Sequence, residues 1–517
     1  MRPAKAAEME IVMKKKNVAV ILCDQLRLDH LSCYGAKDTY TPNIDRLAKE
    51  GMMFTNAVTA SPVCAPARAS MMTGRYVSDH QVWTNDVPFR EGIECLPARV
   101  NALGYRTGCF GKLHHYPARD AKGFQTAYQM EENRLGEQED YLLWLKEKIM
   151  DEAASTAQAV EFAKLDVFPE KDGCFPFGRD LYYENWIADR AMEFMKDTDT
   201  PFFAWISFQG PHTPLDPFPE VYEGREQPTA DLHLDYDPPC EVARYRKYRL
   251  DGHFTEEEHR EYRKKYGCLV EEIDCQVGRL IRHLEEQGLY EDTLILFFAD
   301  HGDLCGDYGM RQKGPFLYGA QLDIPLIVAH HPDLPRGEVC EELTGNLDIG
   351  ATVLAYMGDE KPFGYSRDMA ALYQKPRLRR EVIYSEFCDS AKIVVDREYR
   401  FVYYPFSGEC ELVRNTEEMC PLQEKPEYYP VVRRMLEHVI DFMILAKGAR
   451  IEAQDLTPGV QEGLSKKLPG YQSQVPLAFP IQTETQIGNL KAAGLNWSYN
   501  EFCRSRRLER SYGAYWE

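Results

Sequence analysis

The stretch Asn17-Val18-Ala19-Val20-Ile21-Leu22-Cys23-Asp24-Gln25 decides how this chain folds. A continuous apolar run of strand length reads as a strand buried on both faces, the habit of parallel sheets covered by helices. In open α/β sheets ligands bind beyond the carboxyl ends of the strands, and that is where Asp24 and Gln25 stand. A second run, Leu294-Ile295-Leu296-Phe297-Phe298-Ala299, ends the same way in Asp300-His301-Gly302. Two such strands can bring two carboxylates to one rim. Oxygen donors from Asp24, Gln25 and Asp300 suit one hard divalent cation, Ca2+ first, with Mn2+ and Mg2+ as alternatives, better than they suit zinc. His301 serves as a further ligand or as a partner behind the ligands. Each aspartate alone is more simply a helix N-cap after a strand. The pairing argues for the metal.

Further apolar strands deliver candidate proton donors and anion binders to the same rim. Tyr105–Phe110 leads into Gly111-Lys112-Leu113-His114, and Phe202–Phe208 leads into Gln209-Gly210-Pro211-His212-Thr213-Pro214. Lys313 lies 13 residues beyond Asp300, in Met310-Arg311-Gln312-Lys313-Gly314. A lone lysine or histidine in a loop is usually a solvated side chain; the position past a strand is what singles these out.

The nucleophile candidate sits in Ser61-Pro62-Val63-Cys64-Ala65-Pro66-Ala67-Arg68. Pro66 suits the first turn of a helix, Ala67–Met72 favours its continuation, and Gly74 stops it. A side chain at a helix N-terminus faces free N–H groups and the positive end of the dipole. With 15 cysteines in the chain, a chance C-x-P-x-R arises with probability about 0.04. A buried core thiol is the ordinary fate of a lone cysteine. The motif gains weight from the other residues around it.

Taken together, these motifs resemble the sulfatase family of the alkaline-phosphatase superfamily over roughly the first 440 residues. The resemblance rests on Asp24-Gln25, Thr41-Pro42-Asn43-Ile44-Asp45-Arg46-Leu47, Cys64–Arg68, Gly111–His114, Pro211–Pro214, Asp300–Gly302 and Lys313, in family order. It implies that Cys64 becomes formylglycine through a formylglycine-generating enzyme. It also implies that residue 64 joins Asp24, Gln25, Asp300 and His301 on the metal. Arg68 and Lys112 would hold the aldehyde hydrate, His114 would be the base of the second step, and His212 with Lys313 would bind sulfate and protonate the leaving oxygen. The chemistry explains why the nucleophile begins as cysteine. An aldehyde hydrates to a diol whose one hydroxyl attacks sulfur, while the second, deprotonated, expels sulfate without hydrolysis of an inert ester.

One position departs from the pattern. Many sulfatases carry two adjacent aspartates after the first strand, where this chain has Asp24-Gln25. That neutral residue resembles phosphonate monoester and phosphodiester hydrolases of the same superfamily, which share the nucleophile. The expected function is hydrolysis of a small-molecule or carbohydrate sulfate ester. The alternative is a phosphonate monoester or phosphodiester hydrolase. A non-catalytic metal-binding protein is the alternative of another class, should Cys64 stay a thiol.

Composition bears on partners and compartment. With 61 Lys+Arg against 82 Asp+Glu the net charge is −21, which opposes binding to nucleic acid or anionic membranes. No apolar run approaches membrane-spanning length. Met1–Lys16 is polar and Val18–Cys23 is short for a signal sequence. An odd number of scattered cysteines reads as reduced thiols in a cytoplasm.

The expected fold is α/β: a large, mostly parallel sheet flanked by helices, with a smaller C-terminal α+β subdomain carrying a short antiparallel sheet. Residues 1–380 form the catalytic part, with helices at Ile44–Lys49, Ala98–Leu103, Tyr182–Asp197 and Glu256–Gln287. Residues 381–445 hold strands Val382–Phe387, Ala391–Asp396, Tyr399–Tyr404 and Cys410–Arg414 and the helix Tyr428–Leu445. Glu223–His253 reads as an irregular insertion near the pocket. Its basic–aromatic run Arg244–Arg249 reads as a solvated helix face, with contact to an acidic substrate as the sharper reading. Residues 446–517, rich in aromatics, read as a homo-oligomerisation arm or a cap over a pocket, or as a wrap on their own domain.

Overall fold

The strand Asn17–Cys23, β1, is the pivot of the molecule, paired in parallel on one edge with Phe202–Phe208 and on the other with Thr293–Ala299. The structure, a computed structural model, describes residues 17–132, 134–135, 138–152, 174–175, 178–196 and 200–446. The expectation for residues 446–517 falls, except for Ala446, outside the described residues.

Eight strands form the main sheet: β1, β2 (Gly51–Phe54), β4 (Arg106–Gly111), β5 (Thr126–Gln129), β6 (Phe202–Phe208), β7 (Thr293–Ala299), β8 (Leu326–Ala329) and β9 (Glu338–Cys340). Their order is β5-β4-β6-β1-β7-β8-β2-β9. The five strands from β5 to β7 run parallel, whereas β8 is antiparallel to both β7 and β2. Every residue of β6 and β7 is buried, because helices cover both faces; this is why their sequences are apolar without alternation.

The helices lie close to where the apolar periodicity puts them: Pro42–Glu50, Leu96–Ala102, Tyr183–Met195 and Glu256–Glu286. The longest starts with a capping box in which Thr255 and Glu258 exchange hydrogen bonds, worth about 1 kcal/mol. Tyr262, Tyr266, Leu269, Ile273, Val277 and Leu280 form its buried stripe. Truncating Ile273 to Ala is expected to cost about 2–5 kcal/mol. The same helix supplies Asp274, whose carboxylate accepts the backbone N–H groups of Asn43 (3.0 Å) and Ile44 (2.8 Å). That bond docks the start of Pro42–Glu50 and gives the Thr41–Leu47 stretch a structural task.

A two-stranded ribbon, β3 (Ala57–Val58) with β10 (Thr344–Gly345), leads the chain toward Cys64. The C-terminal sheet is an antiparallel meander of β11 (Ile383–Phe387), β12 (Ala391–Val395), β13 (Tyr399–Tyr404) and β14 (Glu409–Arg414). The helix Tyr429–Leu445 covers it through Met435 and Val439, and Phe442 stacks on Tyr384 at 4.3 Å.

The basic run divides: Arg244 and Tyr248 are exposed, as a solvated face would have them, whereas two of its cations turn inward. Arg246 and Lys247 are buried. Arg246 pairs with Asp251 at 2.8 Å and donates to the Arg311 carbonyl at 2.6 Å, while Lys247 donates to the Leu234 carbonyl at 2.8 Å. Arg246 thus supports the loop that carries Lys313, and Lys247 ties the insertion together. A buried cation persists where carboxylates and carbonyls satisfy its donors, and a sequence run does not disclose such partners.

Candidate active site

The five parallel strands end flush. Gly111 pairs with both Gln129 and Ser207, and Cys23 pairs with both Phe208 and Ala299. Just beyond those ends, in sheet order, come Glu131 and Glu132 after β5, Lys112 to His114 after β4, and His212 after β6. Asp24 and Gln25 follow β1, and Asp300 and His301 follow β7. The rim is thus a row of functional groups spaced by the sheet itself.

Cys64 reaches this row from the helix Cys64–Thr73, all ten residues of which are buried. The helix ends where expected, at Gly74 with φ 63°; a Cβ there would lie 2.3 Å from the Phe363 carbonyl oxygen. Asn346 Nδ2 and Thr59 Oγ1 both donate to the Asp300 carbonyl, at 2.7 and 2.5 Å, which ties the approach to Cys64 onto the end of β7. Cys64 Sγ lies 3.0 Å from Lys313 Nζ, 3.2 Å from His301 Nε2 and 3.6 Å from Asp24 Oδ1. Burial alone would push this thiol up, but Lys313, His301 and Lys112 together hold it well below its ordinary range.

Ligand atoms of Asp24, Cys64, Asp300 and His301 lie within 4.8 Å of one another. Two carboxylates and an imidazole around one buried point, with Gln25 alongside, fit a divalent cation; residue 64 would add an oxygen once modified. Gln25 adopts φ 67°, which brings its backbone N–H to Asp300 Oδ1 at 2.9 Å. Its side-chain oxygen accepts from Lys313 at 2.5 Å and its amide nitrogen donates to Asp303.

Arg68 reaches the carboxylates that flank Cys64. Its guanidinium binds Asp300 Oδ2 at 2.8 Å, Asp24 Oδ2 at 3.4 Å and Ser207 Oγ at 2.8 Å, bracing the carboxylates from behind. Lys112 Nζ sits 2.5 Å from Asp24 Oδ2 and 2.7 Å from Glu132 Oε1. Gly111 before it has φ 94°, and a Cβ there would come within 2.0 Å of the Ser207 carbonyl oxygen; only glycine fits.

The two histidines are held by backbone and carboxylate. His212 Nδ1 lies 2.5 Å from the Thr213 carbonyl oxygen and 3.1 Å from Glu132 Oε1, so Nδ1 carries the hydrogen. Burial and Lys112 oppose its charge, yet Glu132 and Asp24 bring the imidazole up to about 9. His114 adopts φ 59°, and Glu131 accepts its N–H at 3.0 Å and that of Leu113 at 2.8 Å. Its Nδ1 faces Arg134 at 3.3 Å, and its buried Nε2 makes no hydrogen bond.

Every candidate named from the sequence therefore stands on one rim. The reading missed Glu131, Glu132, Arg134 and Asp303. Their available signal was position: three follow β5 directly, and Asp303 shares the loop of Asp300.

A mixed, mostly parallel sheet with metal-type carboxylates at its strand ends is an alkaline-phosphatase-like fold. The sulfatase family model matches residues 16–359, and the chain belongs to that family, hydrolases of sulfuric esters. An arylsulfatase of Clostridium perfringens is 27% identical over 468 residues, covering 80% of this chain and 91% of its own. The phosphonate monoester hydrolase of Agrobacterium radiobacter superposes with a TM-score of 0.70 at 22% identity, covering 84% of this chain and 96% of its own. A protein solved with its substrate D-glucosamine-2-N,6-O-disulfate superposes at 0.69 with 19% identity, covering 84% and 99%. Likeness at such identities carries the fold.

Proposed function

We propose that this protein hydrolyses the sulfate ester of a small molecule or carbohydrate at a formylglycine formed from Cys64, beside a divalent cation. Asp24, Gln25, Asp300 and His301 would hold the cation together with residue 64. When present, these groups supply a hydroxyl nucleophile of lowered pKa and a positive charge beside the transferring group. The convergence of Lys313, His301 and Asp24 on the buried Cys64 sulfur carries the reading.

The remaining residues have tasks that follow from their contacts. Lys112 and Lys313 offset negative charge on the group in transfer. His212, its Nδ1 hydrogen engaged and its ring protonated up to about 9, gives its other proton to the departing alkoxide. His114 is the base of the step that releases sulfate; the Arg134 guanidinium can only donate to its Nδ1, which makes Nδ1 the basic nitrogen of the neutral ring. Arg68 holds Asp24 and Asp300 close together.

Phosphonate monoester or phosphodiester hydrolysis is the second reading, favoured by the neutral Gln25 beside Asp24. Each of these substrates presents a singly charged tetrahedral group that the same cations can stabilise.

The test is co-expression with a formylglycine-generating enzyme. Mass spectrometry of the Cys64 peptide should then show an aldehyde, and the preparation should hydrolyse an aryl sulfate. An unmodified thiol with no turnover would favour a non-catalytic metal-binding protein.

A further inference from the structure

Glu132 has no task in the family resemblance, yet it touches Lys112, Gln209, His212 and Arg134. It stands three residues past the end of β5 with φ 53°, a conformation uncommon for a long side chain and frequent at functional sites. Its Oε1 is 2.7 Å from Lys112 Nζ and 3.1 Å from His212 Nδ1, and it accepts from the Gln209 amide. Its Oε2 is 3.3 Å from Arg134. Donor atoms of Asp24, Glu132 and His212 lie within 4.8 Å of one another. The Lys112 ammonium bridges Asp24 and Glu132 there, at 2.5 and 2.7 Å, so a lysine rather than a second metal ion serves that cluster.

This geometry has a consequence for charge. Lys112 and His212, assigned above to the group to be cleaved, both touch Glu132. Part of the positive potential of the pocket is therefore cancelled by a fixed negative charge, poorly screened because the side chain is only 17% exposed. A sulfate ester carries one negative charge. A phosphate monoester, with a second pKa near 6, carries two at pH 8.

We propose that Glu132 is a positioning residue that matches the pocket to a singly charged ester group, holding Lys112 and His212 in place and penalising the second charge of a phosphate monoester. The proposal rests on the sulfate-ester reading above and names the residue that sets its charge selectivity.

The experiment compares the modified, metal-loaded wild type with Glu132→Gln at pH 8, using an aryl sulfate and an aryl phosphate with the same aryl group. The expected result is a fall of tenfold or more in the ratio of kcat/KM for sulfate over phosphate, whatever the change in either value alone. Loss of both activities by the same factor, leaving the ratio unmoved, would reduce Glu132 to scaffolding and overturn the proposal. Binding of the same two esters to Cys64→Ala, with and without Glu132→Gln, gives a readout independent of turnover. There the preference for the sulfate should weaken. Equal preference in the two backgrounds contradicts the charge role. A wild type that turns over no aryl sulfate overturns the functional reading itself; turnover with an unchanged ratio overturns only the role of Glu132.

Discussion

Lys313 Nζ lies 3.0 Å from Cys64 Sγ although 249 residues separate the two. The same ammonium donates to the side-chain oxygen of Gln25, so one lysine links the residue at position 64 to the neutral position beside Asp24. Lys313→Ala should lower kcat for a sulfate ester by roughly 10²–10³, the cost of removing one donor from developing charge. The helix and sheet content should stay unchanged by circular dichroism. A loss below tenfold would place Lys313 outside the charge-stabilising set.

Cys64→Ala should abolish turnover, by about 10⁴-fold or more, as loss of a nucleophile does elsewhere. The side chain is fully buried, but the exchange removes a single sulfur, so the melting temperature should move by a few degrees only. Steady-state kinetics and a thermal melt check both halves. Full activity in Cys64→Ala ends the nucleophile assignment.

Chelation should remove activity, and Ca2+, Mn2+ or Mg2+ should restore it. The rim is preformed by five strands, so secondary structure should persist without the ion. A ligand present at 100 times its Kd stabilises by about 2.7 kcal/mol, and chelation should cost a melting shift of that order. A chelator-resistant enzyme would contradict the assignment of Asp24 and Asp300 to a metal.

Three buried glutamates each subtract stability as pH rises from about 5 to 8. Burial pushes the Glu411 carboxyl up to about 8 from the usual 4.5, with Cys240 and Tyr236 donating to it and Tyr318, Tyr404, Glu409 and Glu418 nearby. Burial does the same to Glu131 and Glu184. Between the two values the folded state holds protons that the unfolded state has released, so raising pH favours unfolding. Glu411→Gln should stabilise the protein relative to wild type at pH 8.5, by a few kcal/mol at most, and leave it near wild type at pH 4.5. Parallel melting-temperature profiles for the two proteins would contradict this.

Much of the site could be read from the sequence because its residues are covalently next to strands with a clear signature. Asp24 and Asp300 end two unbroken apolar runs, and Cys64 opens a helix marked by Pro66 and Gly74. The turn after β5 was not readable. Glu131, Glu132 and Arg134 look like solvated loop charges, and their role depends on β5 lying beside β4 at the sheet edge, a non-local pairing. Arg246 and Lys247 misled for the same reason, since their partners Asp251, Arg311 and Leu234 are assembled by the fold. Arg68 was placed on the rim correctly, yet its contacts with both carboxylates depend on side-chain packing that spacing does not encode.

The most direct test of the central claim is kcat/KM for an aryl sulfate against an aryl phosphonate monoester with the same leaving group, measured on enzyme with a demonstrated aldehyde at position 64. That ratio reports differential transition-state binding. The account predicts the sulfate to be preferred, with measurable turnover of both. A phosphonate preference of tenfold or more, about 1.4 kcal/mol, would contradict it and assign the site to phosphonate ester hydrolysis.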